Sequence, residues 1–296
     1  MRMPTISWPF GDMDKNAELR GWRLVLLLLA VLLVSFLISL YLFFPTDALK
    51  EQILSRIAGR VPARIDMQSL EIGFPPALQG NEIDLSFAPE VPYSLTIDEL
   101  NLSPEWSSLL GSNPAIDFNA VIAKGNITGT ASKDGDLQVT AQEVPLSVPL
   151  LQSGSLQLAA TIANANFSGK IPLQKSEETL CQIDLRDIVL GGLDKIGFGP
   201  ESLKLGTAHL KATGQRNSFK IEDLSLAGGA LQANGSGTMM LSFPLQHSRI
   251  NLNLVLRPSP ALDKNLVDML KMFAKPADDG SLRLRLSGTL SRPVAR

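Results

Sequence analysis

The chain has 296 residues, 45% of them hydrophobic and 19% charged, so it can build a core and is not a charge-dominated disordered segment. A net charge of -2 and the lack of any basic cluster argue against nucleic acid as a partner. The single cysteine, Cys181, excludes an intrachain disulfide, and one cysteine with two histidines is too little for a structural zinc site.

The first element is apolar. Leu24 to Phe44 reads LVLLLLAVLLVSFLISLYLFF without a charge, which matches the roughly 20 residues a helix needs to cross the hydrocarbon core. Such a segment must be helical, because lipid offers backbone polar groups no partner. Leu24, Leu28, Leu32, Phe36, Leu40 and Phe44 are its expected anchor residues, with Trp22 and Tyr41 near its ends as interfacial aromatics. A cleaved signal core is shorter, about 7–15 residues. The bulky Tyr41-Leu42-Phe43-Phe44 also stands where a cleavage site needs small residues, so a retained single-pass anchor is expected. Lys15, Arg20 and Arg23 precede the span, against Lys50 and Arg56 after it. That slight basic bias assigns residues 1–23 to a cytoplasmic tail and 24–44 to the anchor.

Residues 45–60 form an expected amphipathic juxtamembrane helix. Pro45 stops the apolar run, Thr46 or Asp47 can cap, and Gly59 supplies the stop. Leu49, Ile53 and Ile57 share a face that could lie on the membrane or plug an open end of the following domain.

Over 61–296 the hydrophobic period changes to two. SLEIGF, NEIDLSF, SLTIDELNL, DLQVTAQ, SLKLGTAHL and RINLNLVL alternate apolar with polar residues, as antiparallel strands with one covered and one wet face do. Lys133-Asp134-Gly135-Asp136, Asn234-Gly235 and Asp278-Asp279-Gly280 read as hairpin turns. The alternation slips between Ile97 and Leu100 and between Ile221 and Leu224, which predicts bulges and a curved sheet. One helix interrupts the strands over Ala261–Phe273, with Leu262, Leu266, Met269, Leu270 and Phe273 on one face. The expected fold is mainly β: one transmembrane helix, then a curved, largely antiparallel sheet with one or two short helices.

No catalytic constellation emerges. His209 and His247 lack neighbouring ligands, Cys181 lacks a basic neighbour, and Ser168-Gly169-Lys170 lacks the remainder of a phosphate loop. Asp134, Asp136, Asp278 and Asp279 read as solvated turn residues, too few for a calcium loop. No enzyme, metal or cofactor is expected.

The order of elements resembles the type II secretion system protein N family, itself similar to AsmA-like membrane-anchored β-proteins. The resemblance rests on the anchor Leu24–Phe44, the helix Ala48–Ala58 leading into a strand near Ile65, and the glycine-bounded strands. It rests also on the ending, where the helix precedes GSLRLRLSGTLSRP with Gly288-Thr289-Leu290 and Pro293. It implies an inner-membrane, single-pass component of the type II protein secretion machinery with most of its chain in the periplasm, working by assembly with other envelope proteins. The alternative is a lipid or hydrophobic-ligand carrier whose groove is lined by Leu156, Leu158, Ile162, Ile250, Leu252, Leu254, Leu282, Leu284 and Leu286.

Overall fold

The computed structural model describes residues 28, 29, 31, 32, 35, 39, 51, 63–73, 77–87, 94–150, 155–173, 177–197, 200–242, 247–260 and 262–295. Of the expected anchor residues, Leu28 and Leu32 are described, helical and exposed. Leu24, Phe36, Leu40 and Phe44 lie outside the described residues, as does the 45–60 helix apart from Glu51. No helix among the described residues is long and apolar enough to cross a membrane. The chain divides into Met1–Leu49 and Lys50–Arg296, and the fold that follows belongs to the second unit.

The described residues of that unit form one antiparallel sheet of 15 strands. The first six strands are β1 (Ala63–Gly73), β2 (Ala77–Phe87), β3 (Ser94–Pro104), β4 (Ala115–Ile122), β5 (Gly125–Ser132) and β6 (Asp136–Pro149). Next come β7 (Gln157–Lys170), β8 (Glu178–Gly191) and β9 (Ser202–Gln215), each of 14 residues like β6, with β10 (Ser218–Gly228) beside them. Then come β11 (Leu231–Met240), β12 (Arg249–Pro258), helix α1 (Lys264–Phe273), β13 (Lys275–Pro276), β14 (Leu282–Thr289) and β15 (Arg292–Ala295). Each strand from β1 to β11 pairs with the next in sequence, β12 pairs with β14, and the short β13 and β15 flank β14 on its other side. The mainly β, antiparallel expectation therefore holds for the described residues.

Tight turns make this meander possible. At the β5–β6 turn Gly135 adopts φ +93°, and its N–H donates to Ser132 O at 3.0 Å. The Asp136 N–H donates to Ser132 Oγ at 3.0 Å, and the Ser132 hydroxyl donates back to the Asp136 carboxylate. Asp278-Asp279-Gly280 likewise turns the chain before β14, with Gly280 at φ +78°. Asn234-Gly235 is a correction: both residues lie inside β11, where Gly235 pairs with Leu254. A glycine fits there because the Leu254 side chain occupies the space its Cβ would take, at 2.5 Å.

The two phase slips resolve differently. Register shifts at Ile221–Leu224 against both neighbours of β10, as a bulge requires. Between Ile97 and Leu100 the β2–β3 register runs unbroken, although Asp98 and Glu99 are both exposed. Glu82, opposite Asp98 in that register, absorbs the distortion with φ +49°. Further shifts at Ala159–Asn164 and Leu185–Val189 bend the long central strands.

A simple meander gives the sheet two distinct ends. β1 begins at the same end at which β6 and β8 finish and β7, β9, β11 and β14 start. We call this the entry end and the opposite one the distal end. Helix α1 lies at the entry end, where Leu262, Leu266 and Leu193 form a buried cluster with Leu156, Leu190 and Leu203. The helix begins after Asp263, whose carboxylate accepts the Asn265 N–H at 2.8 Å. Phe273 does not join the inward face as its spacing suggested: it is the last residue of the helix, Ala274 after it is extended and buried, and Phe273 is 53% exposed.

Candidate functional site

The apolar face of the sheet is the one extended feature that the residues build. Cross-strand pairing joins one residue from each of β1 to β12 and β14 into a row: Leu70, Gly80, Leu100, Ala120, Ile127, Ala141, Ala165, Ile183, Leu210, Leu224, Gly235, Leu254 and Leu284. Every member is Leu, Ile, Ala or Gly. At strand spacings of about 4.8 Å the row runs roughly 55 Å along the sheet. A second row lies two residues further along each strand, passing through Leu102, Phe118, Gly129, Val139, Phe167 and Cys181 to Ile221, Leu252 and Leu286. Neither row contains a charged side chain.

These rows are half-covered. Ala120, Ala141, Ala212 and Ile221 are buried, but Leu100, Ile127, Ile183, Leu210, Leu254 and Leu284 keep part of their surface open. Burial is concentrated in four separate clusters: around Ile122 and Val144, around Leu193 and Leu266 beneath α1, around Phe219 and Ile221, and around Leu256 and Leu282. A sheet face packed beneath a second layer would bury its mid-strand leucines and merge such clusters into one core.

The residues expected to line a groove fall as follows. Ile250, Leu252 and Leu254 of β12 face Gly288, Leu286 and Leu284 of β14. Leu158 and Ile162 lie on β7, and a third row leads from Ile162 through Leu185, Ala208, Leu226, Ala233 and Leu256 to Leu282. Leu156 precedes β7 and packs beside α1. Leu282 and Ile250 are buried, whereas Leu158, Ile162, Leu252, Leu254, Leu284 and Leu286 are half-buried. Alternation alone could not reveal the row members of β1 to β6, because which residues oppose one another depends on register.

The other face is polar. Asn101, Asn119, Thr128, Thr140, Asn166 and Gln182 follow one another across β3 to β8, and the Thr140 hydroxyl bonds Asn166 Oδ1 at 3.1 Å. Asn101, Asn126, Asn166 and Asn234, each of which begins an Asn-x-Ser/Thr triplet, all lie within strands.

Titratable groups on this protein serve turns and ion pairs. Asp136 is held below its ordinary value by hydrogen bonds from Ser132 and then Lys170, whose ammonium is 3.3 Å away. Lys170 in turn is held up chiefly by Glu177. Hydrogen bonds from Thr213 and Lys211 lower Glu222, and those from Ser281 and Arg257 lower Asp279. His209 Nδ1 meets Asp184 Oδ1 at 2.5 Å between neighbouring strands, while His247 is exposed. Burial raises the Cys181 thiol. Among the described residues no group of His, Cys, Asp and Glu is arranged to hold a metal.

Spacing gave no sign of an exposed apolar loop at the distal end. Between β3 and β4, Trp106, Leu109 and Leu110 are exposed, Leu110 by 97%. Hydrogen bonds rather than packing set the shape: Ser108 Oγ donates to Glu105 O at 2.7 Å and accepts the Ala115 N–H at 2.8 Å. No family model, curated protein or solved structure matches the chain.

Proposed function

We propose that this chain is a single-pass membrane protein that holds acyl-type hydrophobic chains along the apolar face of its sheet, by binding and without catalysis. One observation carries the reading: uncharged rows of Leu, Ile, Ala and Gly run from β1 to β14 and stay half-open. A ligand suited to such rows must be long and free of polar groups along its length, which describes an acyl chain better than a folded protein surface. The uncharged Leu24–Phe44 segment supports anchorage. The bias of flanking charges favours an inner-membrane protein with its sheet in the periplasm.

Cys181 provides the test, being the single cysteine and a member of the second row. The full chain in lipid nanodiscs is treated with a small maleimide, with and without hexadecanoate. Occupation of the rows should slow modification at least fivefold; an unchanged rate would count against a bound chain.

A second reading follows the resemblance to the secretion-system family and makes the sheet a docking component of that machinery. The exposed, hydrogen-bonded loop of Trp106, Leu109 and Leu110 favours it, since pre-organised apolar side chains are suited to anchoring in a partner's pocket. A photo-crosslinking residue at position 110 should capture an envelope secretion component in intact cells. Recovery of none would remove this reading and leave the first untouched.

A further inference from the structure

We propose that the entry end of the sheet rests on the bilayer, with Met272 and Phe273 at the C-terminus of α1 seated among the lipid headgroups and upper acyl chains. The inference rests on the membrane anchorage proposed above, and adds to it which surface of the sheet meets lipid.

Three observations converge on this end. The first is chain geometry: β1 begins there at Ala63, so the residues that follow the apolar segment Leu24–Phe44 enter the sheet at this end. The second is exposure. Met272 and Phe273 are 75% and 53% exposed, and Leu150, where β6 finishes at the same end, is 48% exposed. Adjacent Met and Phe side chains left in water on a helix that buries its other face form a surface needing cover. The third is the placing of charge. Lys271 and Lys275, both exposed, bracket the pair. Lysines so placed can bury their aliphatic stems in the interface while the ammonium groups meet phosphate. Lys271 Nζ lies 3.0 Å from Asp268 Oδ1 on the exposed side of the helix, a surface pair that a phosphate could replace.

The distal loop of Trp106, Leu109 and Leu110 is the competing lipid-contacting surface. Strands of 14 residues such as β7 and β8 separate the two ends by roughly 45 Å at about 3.3 Å per residue. With the strands upright on the bilayer, one of the two ends meets it and the other stands clear, and the path of the chain into β1 favours the end that carries α1.

Seated in this way, the apolar face stands upright on the bilayer with its rows parallel to the membrane surface. The row through Ile162, Leu185 and Leu256 lies closest to lipid, on the side of α1, whose Leu266 packs with Leu190 and Leu203.

The test uses the full chain carrying Cys181→Ala, with a nitroxide on Met272→Cys or, separately, Leu110→Cys, reconstituted in vesicles of phosphatidylcholine and phosphatidylglycerol. Collision with oxygen and with a water-soluble nickel chelate reports depth. The expected result is a several-fold lower nickel accessibility at 272 than at 110. Vesicles that carry the chain on flotation but leave 272 as accessible to nickel as 110 would overturn the seating alone. A lipid-buried label at 110 with 272 in water would invert the orientation and overturn it as well. A chain that fails to float with the vesicles would overturn the anchorage and this proposal with it.

Discussion

Phe118 of β4 lies over Gly129, its partner on β5: a Cβ placed at Gly129 would come within 2.5 Å of Phe118 Cζ and 2.3 Å of Gln138 O. The aromatic ring thus fills the gap that glycine leaves in the row, and the two residues work as one packing unit. Gly129→Ala should destabilise the sheet by about 1–3 kcal/mol, because both backbone and ring must move. Urea unfolding followed by circular dichroism measures it, and a midpoint equal to that of the parent would contradict the packing described.

Bulk in the middle of a row should separate binding from stability. Ala165 stands between Ala141 and Ile183, half-buried and packed against the cluster of Ile122, Ala141 and Val144. Ala165→Trp should cost about 1–3 kcal/mol, as overpacking does, and leave the chain folded. It should also abolish the protection of Cys181 by hexadecanoate, because the indole occupies the path of the chain. Retained protection would show that ligand does not follow this row.

Asp263 caps α1 through the Asn265 N–H, and the helix closes the entry end over Leu193 and Leu203. Asp263→Ala should cost about 1 kcal/mol, as loss of such caps does. Hydrogen exchange should show it as faster exchange in α1, while β2 to β6 keep their protection. Uniform acceleration across the sheet would mean that the helix is not a separate local unit.

Acid should act through turn carboxylates. Asp279 accepts the Ser281 hydroxyl at 2.5 Å and N–H at 3.1 Å, and these bonds, then Arg257, hold it below its ordinary value of 3.8. A carboxylate with a folded-state value lower than its unfolded one stabilises the fold above the unfolded value and loses that contribution as pH falls through the folded one. Asp136 follows the same sign, with Ser132 as the larger cause and Lys170 next. Asp279→Asn should therefore lower the thermal midpoint at pH 7 and flatten its decline below about pH 4. A decline as steep as the parent's would place the acid sensitivity elsewhere.

Much of this architecture was legible in the alternation of residues. Ile250-Leu252-Leu254-Leu256 and Leu282-Leu284-Leu286 gave both the strands and the face they cover, because the side-chain period of a strand is two. The turn at Lys133–Asp136 was equally plain from its glycine. Asn234-Gly235 misled, since the same dipeptide serves a hairpin turn or a mid-strand glycine under a leucine, and only the Leu254 side chain distinguishes them. The exposed Phe273 misled for a related reason: periodicity assigns a face only while the helix continues, and this one stops at that residue. The apolar rows themselves were hidden, because a row is a property of register between strands and not of any one segment. The loop at Trp106 carries no period at all.

From β1 to β11 every strand finds its partner in the strand that follows it. Such an order makes the domain extensible. A hairpin inserted at any turn would find its neighbours already in place and lengthen each row by about 10 Å, without rearranging the strands on either side. The length of the rows is thus set by the number of hairpins in the sheet, and a chain on the same plan with one hairpin more or fewer would carry rows longer or shorter by about 10 Å.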